Sequence, residues 1–173
     1  MKKSISFLTE NNKIVNKDLT KNYFISQGFI LKDESEDELN FVRGNYLLNM
    51  VTFDPLKWKS NIVITFSDNL IRAVFSISTF GQTVSKKEEA LWNIFISNLE
   101  QSILEKKDLS SANEILLSET QKSSFKLVGL TILITAIVGI PSGIIAHYTG
   151  NDRIFFIGIS LGASSFFILK DKV

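Results

Sequence analysis

The sequence predicts an α+β domain, an antiparallel sheet covered by helices, followed by a transmembrane helical hairpin. Three observations carry that prediction. Residues 62–77 hold two alternating apolar runs joined by Ser67-Asp68-Asn69, the pattern of a β-hairpin with one buried face. Residues 85–103 open on a capping box, Ser85 with Glu88, and continue as an apolar stripe at helical spacing. No charged side chain occurs between Lys126 and Asp152.

The elements of the first part follow in order. Ser4 to Leu8 alternates, with Ile5 and Phe7 on one face, and predicts a first strand. After the turn at Glu10-Asn11-Asn12-Lys13, Asn16 is expected to cap a helix carrying Leu19, Tyr23 and Phe24, with Gly28 just past its end. Phe29 to Lys32 and Leu39 to Arg43 read as strands two and three, separated by an acidic turn and ended by Gly44. Tyr46 to Phe53 is expected as a fourth strand, interrupted by Pro55. The 62–77 hairpin follows, and then the helix with Leu91, Ile94, Phe95, Leu99 and Ile103, whose stripe covers the sheet. This order, β-α-β4/5-α, is similar to a TATA-box-binding-protein-like or small helix-grip arrangement. Likeness of element order carries no function.

Three segments result: a cytoplasmic α+β domain at 1–107, a polar connector at 108–124, and a transmembrane helical hairpin at 125–173. Within the connector, Ser111 with Glu114 offers a second capping box for a short helix at 115–121. Residues 127–148 match the roughly 20 residues of a bilayer-spanning helix and show no polar face. Residues 154–169 form a shorter run, about 24 Å as a helix, which spans with local thinning, re-enters, or lies at the interface. Gly150-Asn151-Asp152 supplies the tight turn between them. Lys106, Lys107, Lys122 and Lys126 precede the first run and Lys170 and Lys172 follow the second, with Arg153 alone between. The positive-inside rule then puts both termini in the cytoplasm.

Gly139 with Gly143 and Gly158 with Gly162 each form a G-x-x-x-G pair, which lets helix backbones approach closely. They serve packing inside one hairpin or a homo-oligomer through the transmembrane helices. Pro141, between the first pair, is expected to kink its helix. His147, Tyr148, Arg153 and Lys170 sit where a membrane interface falls, and Trp58 between Lys57 and Lys59 either rests on anionic headgroups or is one buried tryptophan flanked by solvated lysines.

Several chemistries are excluded. With no cysteine there are no disulfides or thiolate sites, and one histidine rules out His-cluster metals and Ser-His catalysis within the chain. A net charge of +1 gives no case for nucleic acid. The acidic run Asp33, Glu34, Glu36, Asp37 and Glu38 lacks the glycine and terminal glutamate of a calcium loop and reads as a solvated turn. No ionisable group lies mid-span to relay protons. Ile5 to Leu8 is too short an apolar run for a signal peptide, which needs roughly 7–15 residues. The abundance of Asn, Lys, Ile, Ser and Phe suggests an AT-rich bacterial genome.

Residues 41–60, FVRGNYLLNMVTFDPLKWKS, combine Arg43-Gly44 with Phe53-x-Pro55-x-Lys57-Trp58. With the C-terminal hairpin, this segment resembles a family of small bacterial membrane proteins without an assigned activity. The resemblance implies a membrane-anchored bacterial protein and nothing about chemistry. The expectation is therefore a non-enzymatic integral protein of the bacterial inner membrane, multi-pass and without a cofactor. Its partners are the lipid bilayer and a cytoplasmic protein or ligand. The rival is an oligomerising membrane effector or pore-type protein controlled by the soluble domain. A third reading, an enzyme built from scattered carboxylates and hydroxyls, requires a pocket holding two perturbed carboxylates.

Overall fold

The computed structural model describes residues 1–172. Its elements are β1 (Lys2–Leu8), α1 (Lys13–Ser26), β2 (Ile30–Glu34), β3 (Glu38–Arg43), α2 (Tyr46–Val51), a 3-10 turn (Pro55–Lys57), β4 (Ser60–Ser67), β5 (Leu70–Ile77), α3 (Lys86–Glu105), α4 (Ser110–Thr149) and α5 (Arg153–Leu169). The chain divides into two compact units. The first is Met1–Val84 with Glu88–Ser118, and the second holds residues 85–87, the rest of α4, and α5.

The first unit is an α+β fold on one antiparallel sheet of order β1-β5-β4-β3-β2. Register decides its two faces. On one face Ile5, Ala73, Ile64 and Leu39 lie in a row, and Lys3, Phe75, Ile62 and Phe41 in the next. Most of these apolar side chains are fully buried, and Phe24 of α1 and Trp92, Phe95 and Leu99 of α3 join them in one core. Phe24 stacks on Phe41 at 4.7 Å, and Phe95 meets both Tyr23 and Trp92. The hairpin of β4 and β5 turns as the alternation predicts, with Asp68 in the left-handed region at φ 47°. Ile94, expected within the α3 stripe, is instead at the stripe's outer edge and partly exposed.

Several expectations are corrected. Tyr46 to Phe53 is not a strand. Asn45 accepts the Leu48 N–H at 2.8 Å and starts α2, and the run Tyr-Leu-Leu-Asn-Met lacks the alternation that a half-buried strand needs. The cap of α1 is Asn12, which accepts the Val15 N–H at 2.9 Å. Asn16 lies inside the helix, buried, with its amide donating to the Asn11 carbonyl. Gly28 does sit just beyond the helix end at φ 78°. Residues 110–124 are the first turns of α4, so 108–124 is not a connector carrying a separate short helix. Nothing between Ser111 and Lys126 breaks a helix, and Leu116 and Leu117 pack on the first unit's core. Pro141 lies within α4 without ending it.

The acidic turn is less solitary than expected. Glu34 pairs with Lys17 at 3.1 Å and Lys21 at 2.7 Å, and Lys13 pairs with Glu36 and Asp37. These lysines stand on one side of α1 at turn spacing, and Lys21 and Lys17 hold the Glu34 carboxyl below its ordinary range.

Candidate functional site

Three places collect the side chains that the sequence singled out. The first is the seam between α4 and α5. A side chain begun at Gly139 would touch Ile159 at 3.5 Å, and one at Gly143 would meet Phe155 at 3.3 Å. One at Gly162 would run into the backbone of Thr135 and stand 3.0 Å from its Cβ, and one at Gly158 would collide with Ser142. All four glycines thus face the other helix of the same chain. Nearby hydroxyls bond back into their own helices: Thr131 to the Leu127 carbonyl at 2.9 Å, Thr135 to Thr131 at 2.8 Å, Ser142 to Val138 at 2.8 Å. Gly150 at φ 65° ends α4, and the Asn151 N–H donates to the Ala146 carbonyl.

The outside of these helices carries large apolar residues. Ile132, Ile137 and Ile140 are 64%, 62% and 64% exposed, and Phe156, Leu161 and Phe167 are exposed to a similar degree. α4 is the one helix among the described residues that is long and apolar enough to cross a membrane. α5 is apolar but has 17 residues. His147 and Tyr148 are exposed near the end of α4, ring against ring at 5.7 Å, and Arg153 is exposed at the start of α5. Lys170, directly after α5, is half-buried.

Trp58 is a correction. It is 0% exposed and belongs to the core, so it cannot rest on headgroups. Its neighbours explain the whole Arg-Gly to Lys-Trp segment. Gly44, at φ 67°, lies so close to the returning chain that an added Cβ would stand 2.8 Å from the Trp58 carbonyl carbon. The two ends of the segment therefore touch, and only glycine fits at the crossing. Asp54 caps the 3-10 turn by accepting the Leu56 N–H, with Pro55 at its first position. Arg43 donates to the Gln27 carbonyl and lies over the Phe29 ring at 5.2 Å; burial holds its pKa below the usual value. The pattern is an architectural clasp.

The second place is a buried polar chain. Asn98 of α3 donates to the Asn113 amide oxygen at 2.7 Å, Asn113 of α4 donates to the Tyr23 hydroxyl at 3.1 Å, and that hydroxyl donates to the Phe95 carbonyl at 2.6 Å. Burial pushes the Tyr23 pKa up. Three helices are joined by groups that each find a partner, which rigidifies a core.

No protein-family profile, curated protein or solved structure matches this chain.

The third place is a hollow of about 640 Å³ in the first unit. It opens on the sheet face opposite the core, around the row Lys2, Ser76, Asn61 and Val42. Lys32, at the irregularity between Leu31 and Asp33, and Lys59, before β4, complete its rim. Lys59 is fixed in place: its ammonium stands 3.6 Å from the centre of the Tyr46 ring, and its N–H donates to Asn49 at 2.6 Å. Asn49 in turn donates to the Ser78 carbonyl at 2.8 Å. The element that positions Lys59 is α2, which the strand expectation missed. Lys59 was legible only as a cation flanking Trp58. Lys2, Lys32 and Asn40 carried no sequence signal, because strand register alone brings them together.

Proposed function

We propose that this chain is a non-enzymatic bacterial integral membrane protein, anchored in the inner membrane by α4 and α5 as a two-helix hairpin, both termini cytoplasmic. Its α+β unit then binds a protein or ligand at the membrane. One observation carries this reading: most large apolar side chains of α4 and α5 point outward, while the glycines of each helix face the other helix. In water that arrangement exposes far more apolar surface than a soluble monomer tolerates. In lipid it is the expected one, since small residues make the contact and large ones meet the acyl chains. Hydroxyls bonded to their own backbone suit the same surroundings, where every polar group must be satisfied internally.

α5 is about 26 Å long, short of the roughly 30 Å hydrocarbon core. Arg153 and Lys170 at its ends reach toward the headgroups and draw the bilayer in. The rival reading, an oligomerising membrane effector, loses its first motive, because both glycine pairs are occupied within the chain. Its remaining support is the outer apolar face.

Reporter fusions test the topology. A reporter active only in the cytoplasm is expected to work at either terminus and to fail when inserted after Asn151. Activity at Asn151 would mean that α4 does not cross. Crosslinking in native membranes separates the rival: ladders above the monomer would favour the effector.

A further inference from the structure

The geometry points to the hollow on the open face of the sheet as a binding site for a phosphate group, held by Lys2, Lys32 and Lys59. The inference gives the α+β unit its ligand class and rests on the membrane reading only where the phosphate belongs to a lipid.

The first argument is charge. Lys2, Lys32, Arg43 and Lys59 line the hollow, and no carboxylate does. Of the seven other lysines of this unit five are matched: Lys3 with Glu89, Lys13 with Asp37, Lys17 and Lys21 with Glu34, Lys57 with Asp54. Among the described residues, Lys2, Lys32 and Lys59 pair with none. Unmatched cations around one concavity raise the local concentration of anions and give them charge-assisted hydrogen bonds.

The second argument is the polar lining. Among the residues of the hollow, Asn40, on the open face of the sheet, keeps a buried amide oxygen without a partner. Buried polar atoms without partners cost free energy and call for a ligand group. A lone acceptor such as the Asn40 oxygen needs a donor. A phosphate or phosphomonoester near neutral pH offers both kinds of group: several acceptor oxygens for the lysines, and an O–H for Asn40. Sulfate and chloride offer no such donor. Lys59, held over Tyr46 and tied through Asn49, needs little ordering when the anion arrives.

The test uses the full chain reconstituted in phosphatidylcholine nanodiscs, with equilibrium dialysis against radiolabelled inorganic phosphate at about 0.15 M salt, where long-range attraction is screened. One phosphate per chain is expected to bind saturably, and sulfate more weakly. The double variant Lys32→Gln/Lys59→Gln is expected to lose at least about tenfold in affinity. Arg72→Gln, at the other end of the same face in the row of Thr65 and Glu38, is expected to leave binding unchanged. Retained tryptophan fluorescence, reporting Trp58 beside Lys59, shows that the variants are folded.

A second arm replaces part of the lipid with phosphatidic acid, whose headgroup is a phosphomonoester. If the ligand is a headgroup, these discs weaken free-phosphate binding severalfold in the parent. If it is a free phosphate compound, both discs give the same affinity. Absence of saturable binding in both discs, or parent-like binding by the double variant, overturns the site. A chain that stays out of the discs yet binds phosphate in detergent-free buffer would sink the membrane reading and leave the phosphate site standing.

Discussion

Isoleucine behaves in opposite ways in the two units. Ile62 and Ile64 of β4 are 0% exposed, while Ile137 and Ile140 of α4 are more than 60% exposed. The first pair lies between the sheet and its helices, as the hydrophobic effect demands in water. The second pair points away from the contact that glycine, serine and threonine make with α5. Polar groups invert as well. In the first unit buried asparagines bond across helices; in the second, hydroxyls bond to their own helix. The same side-chain chemistry sorted in opposite directions is what the proposed membrane anchoring of the second unit requires.

That contrast can be broken by mutation, with the largest effect in the first core. Phe24→Ala removes a ring stacked on Phe41 and should cost about 3–5 kcal/mol in denaturant unfolding. Ile140→Ala, on the outer face of α4, should stay within about 0.5 kcal/mol in detergent. Equal costs would mean that α4 is a buried core helix. The seam comes next. Gly162→Leu forces a side chain into Thr135 and should cost about 1–3 kcal/mol in detergent thermal unfolding, whereas Gly129→Leu, with nothing near it, should cost little.

Smaller again is the polar chain. Asn113→Leu leaves the buried Asn98 amide without its acceptor and should cost about 1–3 kcal/mol, lowering hydrogen-exchange protection in α1 and α3 together. The smallest effect is a pH dependence. Folding raises the Tyr23 pKa, so its contribution is complete below the ordinary tyrosine value of about 10. Above that the unfolded chain ionises first, and stability falls as pH climbs toward the folded value. Tyr23→Phe should lose this slope above pH of about 10 and keep the parent's behaviour below it.

Much of this was legible in the sequence, and the misses share a cause. The β4–β5 hairpin, α3 and the apolar run were plain because period and length settle them. The chain around Tyr46 misled because α2 is held by Asn45 and Asn49, and two side-chain hydrogen bonds leave no periodic trace. Trp58 between lysines left headgroup contact and burial both open, because its burial depends on the crossing at Gly44, a contact between residues 14 apart in sequence. The glycine seam was readable as two motifs packing within one hairpin or between chains; the partners each glycine meets, Ile159, Phe155, Ser142 and Thr135, were not. The hollow was invisible because Lys2, Lys32 and Asn40 meet only through the pairing of the strands, and Lys59 joins them through α2.

The central claim is that the outer face of α4 and α5 meets lipid, and the absence of cysteine allows it to be probed directly. Single variants Glu100→Cys, Ile140→Cys and Asn151→Cys would be treated in intact cells with a water-soluble maleimide, before and after permeabilisation. Asn151→Cys should label in intact cells, Glu100→Cys only after permeabilisation, and Ile140→Cys only once the membrane is dissolved in denaturing detergent. Labelling of Ile140→Cys in permeabilised cells with the membrane intact would contradict the account, because water would then reach the face assigned to lipid.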